Sequence, residues 1–519
     1  MSFMNAVKNT LNEEYNYSMT ENGALGYKTS GKALVDLNFS VASMRSMSES
    51  EICKKFTKAY AENPILAMRW LFFARDVRGG LGERRLFRVI MTDLAKSDPE
   101  LVKRLIPLMA EYGRYDDIWS LFGSNVDGVI FEFIKKQLEI DLDGMNKNGG
   151  TSLLAKWLPS PNTSSEKTKQ NARYIYKNIG LTEREYRKIL SKLRAYIDVV
   201  ERKMSAKQWG NIKYEAVPSR ANLIYNNAFL RNDEERRREY LGKLEKGETK
   251  INAGTLFPHD IVHKYSAYGW SANLKAKDAT VEALWKTLPD MVKGCGNTIV
   301  VADGSGSMTV NVGGNSGVTA LEVANALAIY FAEHSSGDFK DKYITFSENP
   351  QLVDFSKCNS LHDKLKTALA HSECANTNIE KVFDLILTTA IKGHMTQEEI
   401  PQNVLIISDM EFDGCATCGE NTSGYSWWAR CVRPDNRLFE TIRQKFANAG
   451  YKMPRLVFWN VDSRTGTIPV KENDLGVALV SGFSVNICKM VMSGKTDPYE
   501  CLVETLMDER YDAVEAAMK

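Results

Sequence analysis

Three short runs of oxygen-bearing residues stand at spacings that suit a hard cation. Asp303-Gly304-Ser305-Gly306-Ser307 sets a carboxylate and two hydroxyls at alternate positions. Alternation brings all three to one side of a turn, and Gly304 and Gly306 let the backbone fold tightly around an ion. Thr377 lies in Asn376-Thr377-Asn378 ahead of an apolar helical stretch, and Asp409 follows Val404-Leu405-Ile406-Ile407 with only Ser408 between. Few carboxylates, several neutral oxygens and room for water suit Mg²⁺ or Mn²⁺ better than zinc. Asp303, Ser305, Ser307, Thr377 and Asp409 are therefore expected to hold one divalent ion.

Arginine supplies a second kind of chemistry. Residues 75–88 carry Arg75, Arg78, Arg84, Arg85 and Arg88 around Gly79, Gly80 and Gly82. Glycines let backbone N–H groups approach a phosphate, so this loop is the better candidate for RNA; a tight inter-helix turn with arginines paired to Asp76 is the competing reading. Arg236, Arg237 and Arg238, near Arg231, Lys243 and Lys246, offer a phosphate-binding face. A solvated helix pairing with Glu234, Glu235 and Glu239 is the favoured account of that stretch. His259-Asp260-Ile261-Val262-His263 resembles a zinc-protease helix only superficially, because aspartate stands at the glutamate position and no third ligand is evident. Packing at a helix start after Pro258 is expected instead. Cys415, Cys418 and Cys431 could supply three zinc ligands, but a fourth is not apparent and free thiols are the better reading.

The elements that must position these groups change character along the chain. Residues 1 to about 45 are only weakly periodic, and from there to about 245 the periodicity is helical: Ser48-Glu49-Ser50-Glu51 and Thr182-Glu183-Arg184-Glu185 read as capping boxes. Pro64 and Pro99 read as first-turn residues and Gly113 as a helix end. Helices of about 10–20 residues with short connections suit stacked hairpins, an α-solenoid, although no exact sequence period is found. The pattern switches between residues 270 and 296. Beyond it, strands at 298–302, 343–346, 404–407 and 456–459 alternate with helices at 319–334, 361–369, 379–391 and 436–449. That rhythm predicts a doubly wound parallel sheet, whose ligands gather at the carboxyl ends of its strands. The expected domains are a helical-repeat part over 1–285 and an α/β part over 290–519, the latter with a core of its own.

Composition narrows the function. Residues 1–290 hold 46 Lys and Arg against 36 Asp and Glu, a balance of +10, and residues 291–519 hold 21 against 29, a balance of −8. Residues 151–250 alone carry 22 against 12. A polyanion is thus expected to meet the N-terminal part, the competing reading being plain helix surface charge. No apolar run approaches the roughly 20 residues of a membrane span, and Met1-Ser2-Phe3-Met4-Asn5 lacks a signal-peptide apolar core. Nine scattered cysteines argue for reduced thiols and a cytoplasmic location.

The run Val300-Val301-Ala302-Asp303-Gly304-Ser305-Gly306-Ser307-Met308 resembles the metal-ion-dependent adhesion site of von Willebrand factor A domains. That resemblance implies a first loop of Asp303, Ser305 and Ser307, a second at Thr377 and a third at Asp409, with the sixth coordination position open to an acidic group of a partner. The second loop departs from the usual Gly-Gly-Thr, having Ala375 and Asn376 at the glycine positions. A helical part followed by such a domain is similar in order to the Ro family of RNA-binding proteins, the TROVE architecture. The resemblance implies HEAT-like repeats closing into a ring and binding of small noncoding RNA. Residues 75–84 and 112–117 look closer to an uncharacterised Ro-like family, and no RNA-contacting residue of Ro proteins carries over by motif. The expected function is Ro-like RNA binding without catalysis. A metal-dependent protein–protein adaptor that binds no RNA is the alternative. A metal-dependent hydrolase fares poorly, because no base with its orienter stands out. The oligomeric state, monomer or higher, is left open.

Overall fold

The computed structural model of the chain describes residues 15–21, 25–266, 274–292, 296–313, 317–372, 378–411, 437–469, 477–488 and 497–519, with Met4 and Met490. Its strands are β1 (Tyr17–Met19), β2 (Leu25–Tyr27), β3 (Thr298–Asp303), β4 (Lys342–Phe346), β5 (Leu352–Asp354), β6 (Asn403–Ser408), β7 (Arg455–Asn460) and β8 (Val477–Ser481). All six residues of β3 are buried, as its apolar run demands of a strand covered on both faces. Strands β5-β4-β3-β6-β7-β8 form one sheet in that order. Every pairing is parallel except β4 with β5, so the sheet is mixed where an all-parallel one was expected. With exposed ends on three residues, β5 is too short to leave a periodic signal.

The described residues fall into two compact units, Met1–Ala67 with Leu256–Met507, and Met68–Thr255 with Asp508–Lys519. This grouping is not the division at residues 285–290 that the change of sequence pattern suggests. In the sheet-bearing unit, Tyr27, Val35 and Phe39 pack into the same core as Ile299, Val301, Val404, Ile406 and Phe458. The main chain is tied in as well. Tyr27 and Ile468 exchange backbone hydrogen bonds at 2.8 Å, Asn460 Nδ2 donates to Phe39 O at 2.8 Å, and Ala42 N–H to Ser481 Oγ at 3.1 Å. The helix Ala320–His334, eleven of whose residues are buried, contributes Phe331, whose ring lies edge-on to Trp459.

The second unit is helical, with Arg85–Ser97, Pro99–Tyr112, Asp127–Asn146, Glu166–Asn178, Glu183–Tyr196, Ser219–Asn232 and Glu234–Glu245 among its elements. Leu86, Phe87, Ile90, Met91 and Leu94 form the buried stripe of Arg85–Ser97, each contributing roughly 1.5–3 kcal/mol relative to exposure. The capping box at Thr182 closes as the sequence implies, with reciprocal bonds to Glu185 of 2.8 and 3.3 Å; in the sheet-bearing unit Ser48 and Glu51 do the same at 3.0 and 3.3 Å. The C-terminal residues belong to the helical unit: Arg510 pairs with Asp76, and Arg69 reaches Asp512 at 2.6 Å and Glu515 at 2.8 Å. Among the described residues no helix is long and apolar enough to cross a membrane.

Candidate metal centre

Strand order explains why oxygen ligands meet where they do. From β3 the chain moves outward to β4 and β5, then returns to pair β6 on the other side of β3. The carboxyl ends of β3 and β6 therefore flank the switch point, where the loops part and leave a crevice. Asp303 ends β3, and Asp409 is the first residue beyond β6. The turn Gly306–Thr309 that follows Asp303 brings Ser305 Oγ and Ser307 Oγ to 3.0 Å. Ser408 Oγ donates to Asp303 Oδ2 at 2.6 Å and lies 3.5 Å from Asp409 Oδ1, while Ser305 N–H donates to Asp303 Oδ1 at 2.9 Å. Ser307 lies beside Asp409 and lowers its carboxyl against the effect of burial. Four of the five expected ligand residues thus converge; Thr377 lies outside the described residues, as do Cys415, Cys418 and Cys431.

Electrostatics at this crevice favour a cation. Both carboxylates are buried, Asp303 at 2% and Asp409 at 1% exposure. Burial, then the Asp409 charge, push the Asp303 carboxyl up to about 7, and burial raises Asp409 as well. Asp409 Oδ2 is buried without a hydrogen bond, although Arg464 Nη2 stands 3.3 Å away; at that length, and without hydrogen-bond geometry, the contact is a charge pair only. An orphaned carboxylate oxygen beside a second carboxylate and two hydroxyls fits a hard divalent ion. Among the described residues no three His, Cys, Asp or Glu side chains converge as a metal-binding group. The expected centre has a different make-up, two carboxylates and neutral oxygens.

Several residues of this crevice escaped the sequence reading. Arg464, in the segment after β7, contacts Asp409, reaches Ser307 O at 3.4 Å and pairs with Glu21 at 2.7 Å. Glu411 accepts backbone N–H groups from Glu21, Arg464 and Thr465 at 2.8, 2.8 and 2.9 Å. Asp462, 6% exposed, is pushed up to about 7 by burial, with Arg464 opposing and Asp409 adding to the shift. The signal that could have found Asp462 and Arg464 is positional, since the segment after β7 also leaves the carboxyl edge of the sheet.

The arginine candidates divide. Arg75, 3% exposed, is bound to Asp117 at 2.7 Å. Arg237, 0% exposed, packs against the rings of Tyr214, Phe229 and Tyr240 and bonds Asn222 and Asn226. Neither presents a charge to a phosphate, which corrects the expectation for both. Arg236 holds Asp233 at 2.9 Å and the carbonyl oxygens of Trp209 and Ile212. Arg238 pairs with Glu234 at 2.8 Å, one helical turn away, the pairing that the favoured reading of this stretch implies. Arg85 and Arg88 are half-buried, and Arg78 and Arg84 are exposed. Asp76 pairs with Arg510 rather than with the arginines of its own loop. His263 Nδ1 meets Glu322 at 2.9 Å, while His259 stacks on Phe257 and lies edge-on to Phe483; the two imidazoles have separate tasks at opposite ends of the short helix Pro258–Val262. Among the described residues Cys53, Cys358, Cys488 and Cys501 form no disulfide.

Fold and site together define a class: a two-unit α plus α/β protein with a candidate ion site at the switch point of a mixed sheet. Within it, the chain belongs to the family described as Domain of unknown function (DUF2828), matched over residues 20–111 and 129–298; residues 297–518 match Domain of unknown function (DUF7788). It is 31% identical, over an alignment of 531 positions, to "Uncharacterized protein L728" of Acanthamoeba polyphaga mimivirus, covering 95% of this chain and 87% of that protein. Among solved structures it is similar to one described as "Crystal structure of Deinococcus radiodurans RO (RSR) protein", with a TM-score of 0.42 and 13% identity over 85% of this chain and 93% of that one. A likeness of that degree carries no argument about function.

Proposed function

We propose that the protein is a Ro-like RNA-binding protein of the cytoplasm, an α-solenoid joined to a von Willebrand A-like domain, with no catalytic chemistry of its own. RNA meets the basic helical part, and Asp303, Ser305, Ser307, Thr377 and Asp409 hold one Mg²⁺ or Mn²⁺. The observation that carries the reading is the Asp303–Asp409 pair, two buried carboxylates that repel one another with one oxygen unsatisfied. A divalent cation at the pair would relieve that repulsion and take up the open oxygen. The RNA half rests on the charge split of +10 against −8 and on the exposed guanidiniums of Arg78 and Arg84. A specific observation favours the adaptor reading as the second. The Glu21 carboxylate sits 2.7 Å from Arg464, which itself touches Asp409, so the rim of the crevice already accommodates an acidic side chain.

Fluorescence anisotropy of the full chain with a structured RNA bearing a single-stranded end separates the two. Electrostatic binding should fall with salt at a log–log slope of about −0.7 per phosphate contact. Replacing Arg84 and Arg85 by alanine should weaken every RNA and flatten the slope by roughly one to two contacts' worth, while Asp303→Ala leaves the affinity nearly intact. No binding at about 50 mM salt, where such contacts are strong, would remove the RNA reading and leave the adaptor.

A further inference from the structure

Two runs distant in sequence, residues 75–88 and 113–117, close around a buried carboxylate in the helical unit. Asp117, 0% exposed, accepts from Arg75 Nε and Nη2 at 2.8 and 2.7 Å. It also accepts from Arg88 Nε at 2.7 Å and from the Arg114 backbone N–H at 3.0 Å. Asp116 takes Arg114 Nε and Nη2 at 2.8 and 2.6 Å. Gly113 is required here, because a Cβ would lie 2.5 Å from Asp117 Oδ2 and 2.8 Å from Arg75 Nε. The Arg114 guanidinium is held over the Trp157 ring at 4.1 Å.

The charges in this cluster do not balance. Arg84 caps the start of the helix Arg85–Ser97 without a side-chain hydrogen bond, one turn before Arg88, and forms no ion pair among the described residues. Counting it, four guanidiniums stand against the two carboxylates of Asp116 and Asp117, and only Arg75, Arg88 and Arg114 are paired with them. A closed structural network needs no such surplus. A second sign is the buried Arg88 Nη2, which has no hydrogen bond despite standing 3.1 Å from Asp116 Oδ2. The covered part of its side chain, then the Arg114 charge, hold the Arg84 guanidinium down to about 10, with Asp116 opposing.

We propose that Arg84, Arg88 and Arg114 form a binding site for a phosphate monoester, the terminal phosphate of an RNA. A monoester carries about −1.5 to −2 charges at neutral pH, which matches a surplus of two guanidiniums, whereas an internal phosphodiester carries one. Its three terminal oxygens also suit the forked donors of arginine. The RNA reading above supplies only the source of this phosphate; the site itself follows from the arginine cluster.

The test uses the full chain and one short single-stranded RNA made unphosphorylated, 5′-phosphorylated and 3′-phosphorylated. One terminal phosphate should tighten binding by about tenfold, the gain of a single charge-assisted contact. Arg84→Ala should bring that ratio to one. The readout is the ratio, which a general loss of RNA affinity does not move, and Arg84 is exposed and its side chain makes no cap bond, so the variant should fold. Equal affinity for all three forms, or a preference that survives Arg84→Ala, overturns the proposal while leaving RNA binding in place. If none of the three binds, calorimetry with pyrophosphate decides. Heat that Arg84→Ala abolishes supports the site although the RNA reading has failed, and no heat overturns both.

Discussion

Asp303→Asn should make the metal-free protein more stable while removing its response to Mg²⁺. Burial and the Asp409 charge push the Asp303 carboxyl from its ordinary 3.8 up to about 7. At about 1.4 kcal/mol per tenfold, keeping it ionised at pH 8 costs the fold about 4 kcal/mol. The native state holds this proton more tightly than the unfolded chain, so stability falls as pH rises from about 4 to about 7 and is level above that. Between pH 5 and pH 8 the Asp303 share of that loss is about 2–3 kcal/mol. Asparagine keeps the acceptor for Ser305 N–H and can donate to the Ser408 hydroxyl, which reverses its role, so the site stays hydrogen-bonded. The assay is chemical unfolding of both proteins in EDTA and in Mg²⁺, at pH 5 and pH 8. In EDTA at pH 8 the variant should exceed the wild type by up to about 4 kcal/mol. Its remaining pH slope should come from Asp462 and Asp409, whose carboxyls burial also raises. Mg²⁺ at a hundred times its Kd should add about 2.7 kcal/mol to the wild type and close to nothing to the variant. A variant no more stable than wild type at pH 8 in EDTA, or one that keeps the full Mg²⁺ gain, refutes the reasoning.

Four further perturbations probe the scaffold. Gly80→Ala sets a Cβ 1.9 Å from the Phe73 carbonyl oxygen and should cost more than about 3 kcal/mol. Gly128→Ala, on a helix with nothing within 4 Å, should leave stability unchanged or raise it by up to about 1 kcal/mol, both read by thermal melts. Asp117→Ala leaves Arg75 buried without its counterion and should cost about 3–5 kcal/mol in urea unfolding. A fragment of residues 290–519 lacks Tyr27, Val35 and Phe39 from its core and should aggregate or exchange its amides rapidly, whereas a sharp, slowly exchanging NMR spectrum would show those residues to be dispensable.

What the sequence made legible is local. The apolar runs of β3, β6 and β7 need no partner to be recognised, and the alternation of Asp303, Ser305 and Ser307 puts its oxygens together whatever the rest of the chain does. The capping boxes at Ser48 and Thr182 close across three residues. The crevice residues and core contacts that were missed depend on distant chain. Glu21 reaches Arg464 across 443 positions, and Tyr27 joins the core of a sheet that begins near residue 298. Charge type was the weakest guide, because an arginine in sequence carries no sign of its counterion. Arg75 finds Asp117 across 42 positions, and Arg237 lies in a bed of tyrosine and phenylalanine rings. Composition counts both toward a basic face that neither reaches. Positive charge bears on a polyanion only where the fold leaves it unspent, and in the helical unit the unbalanced cluster at Arg84 meets that condition.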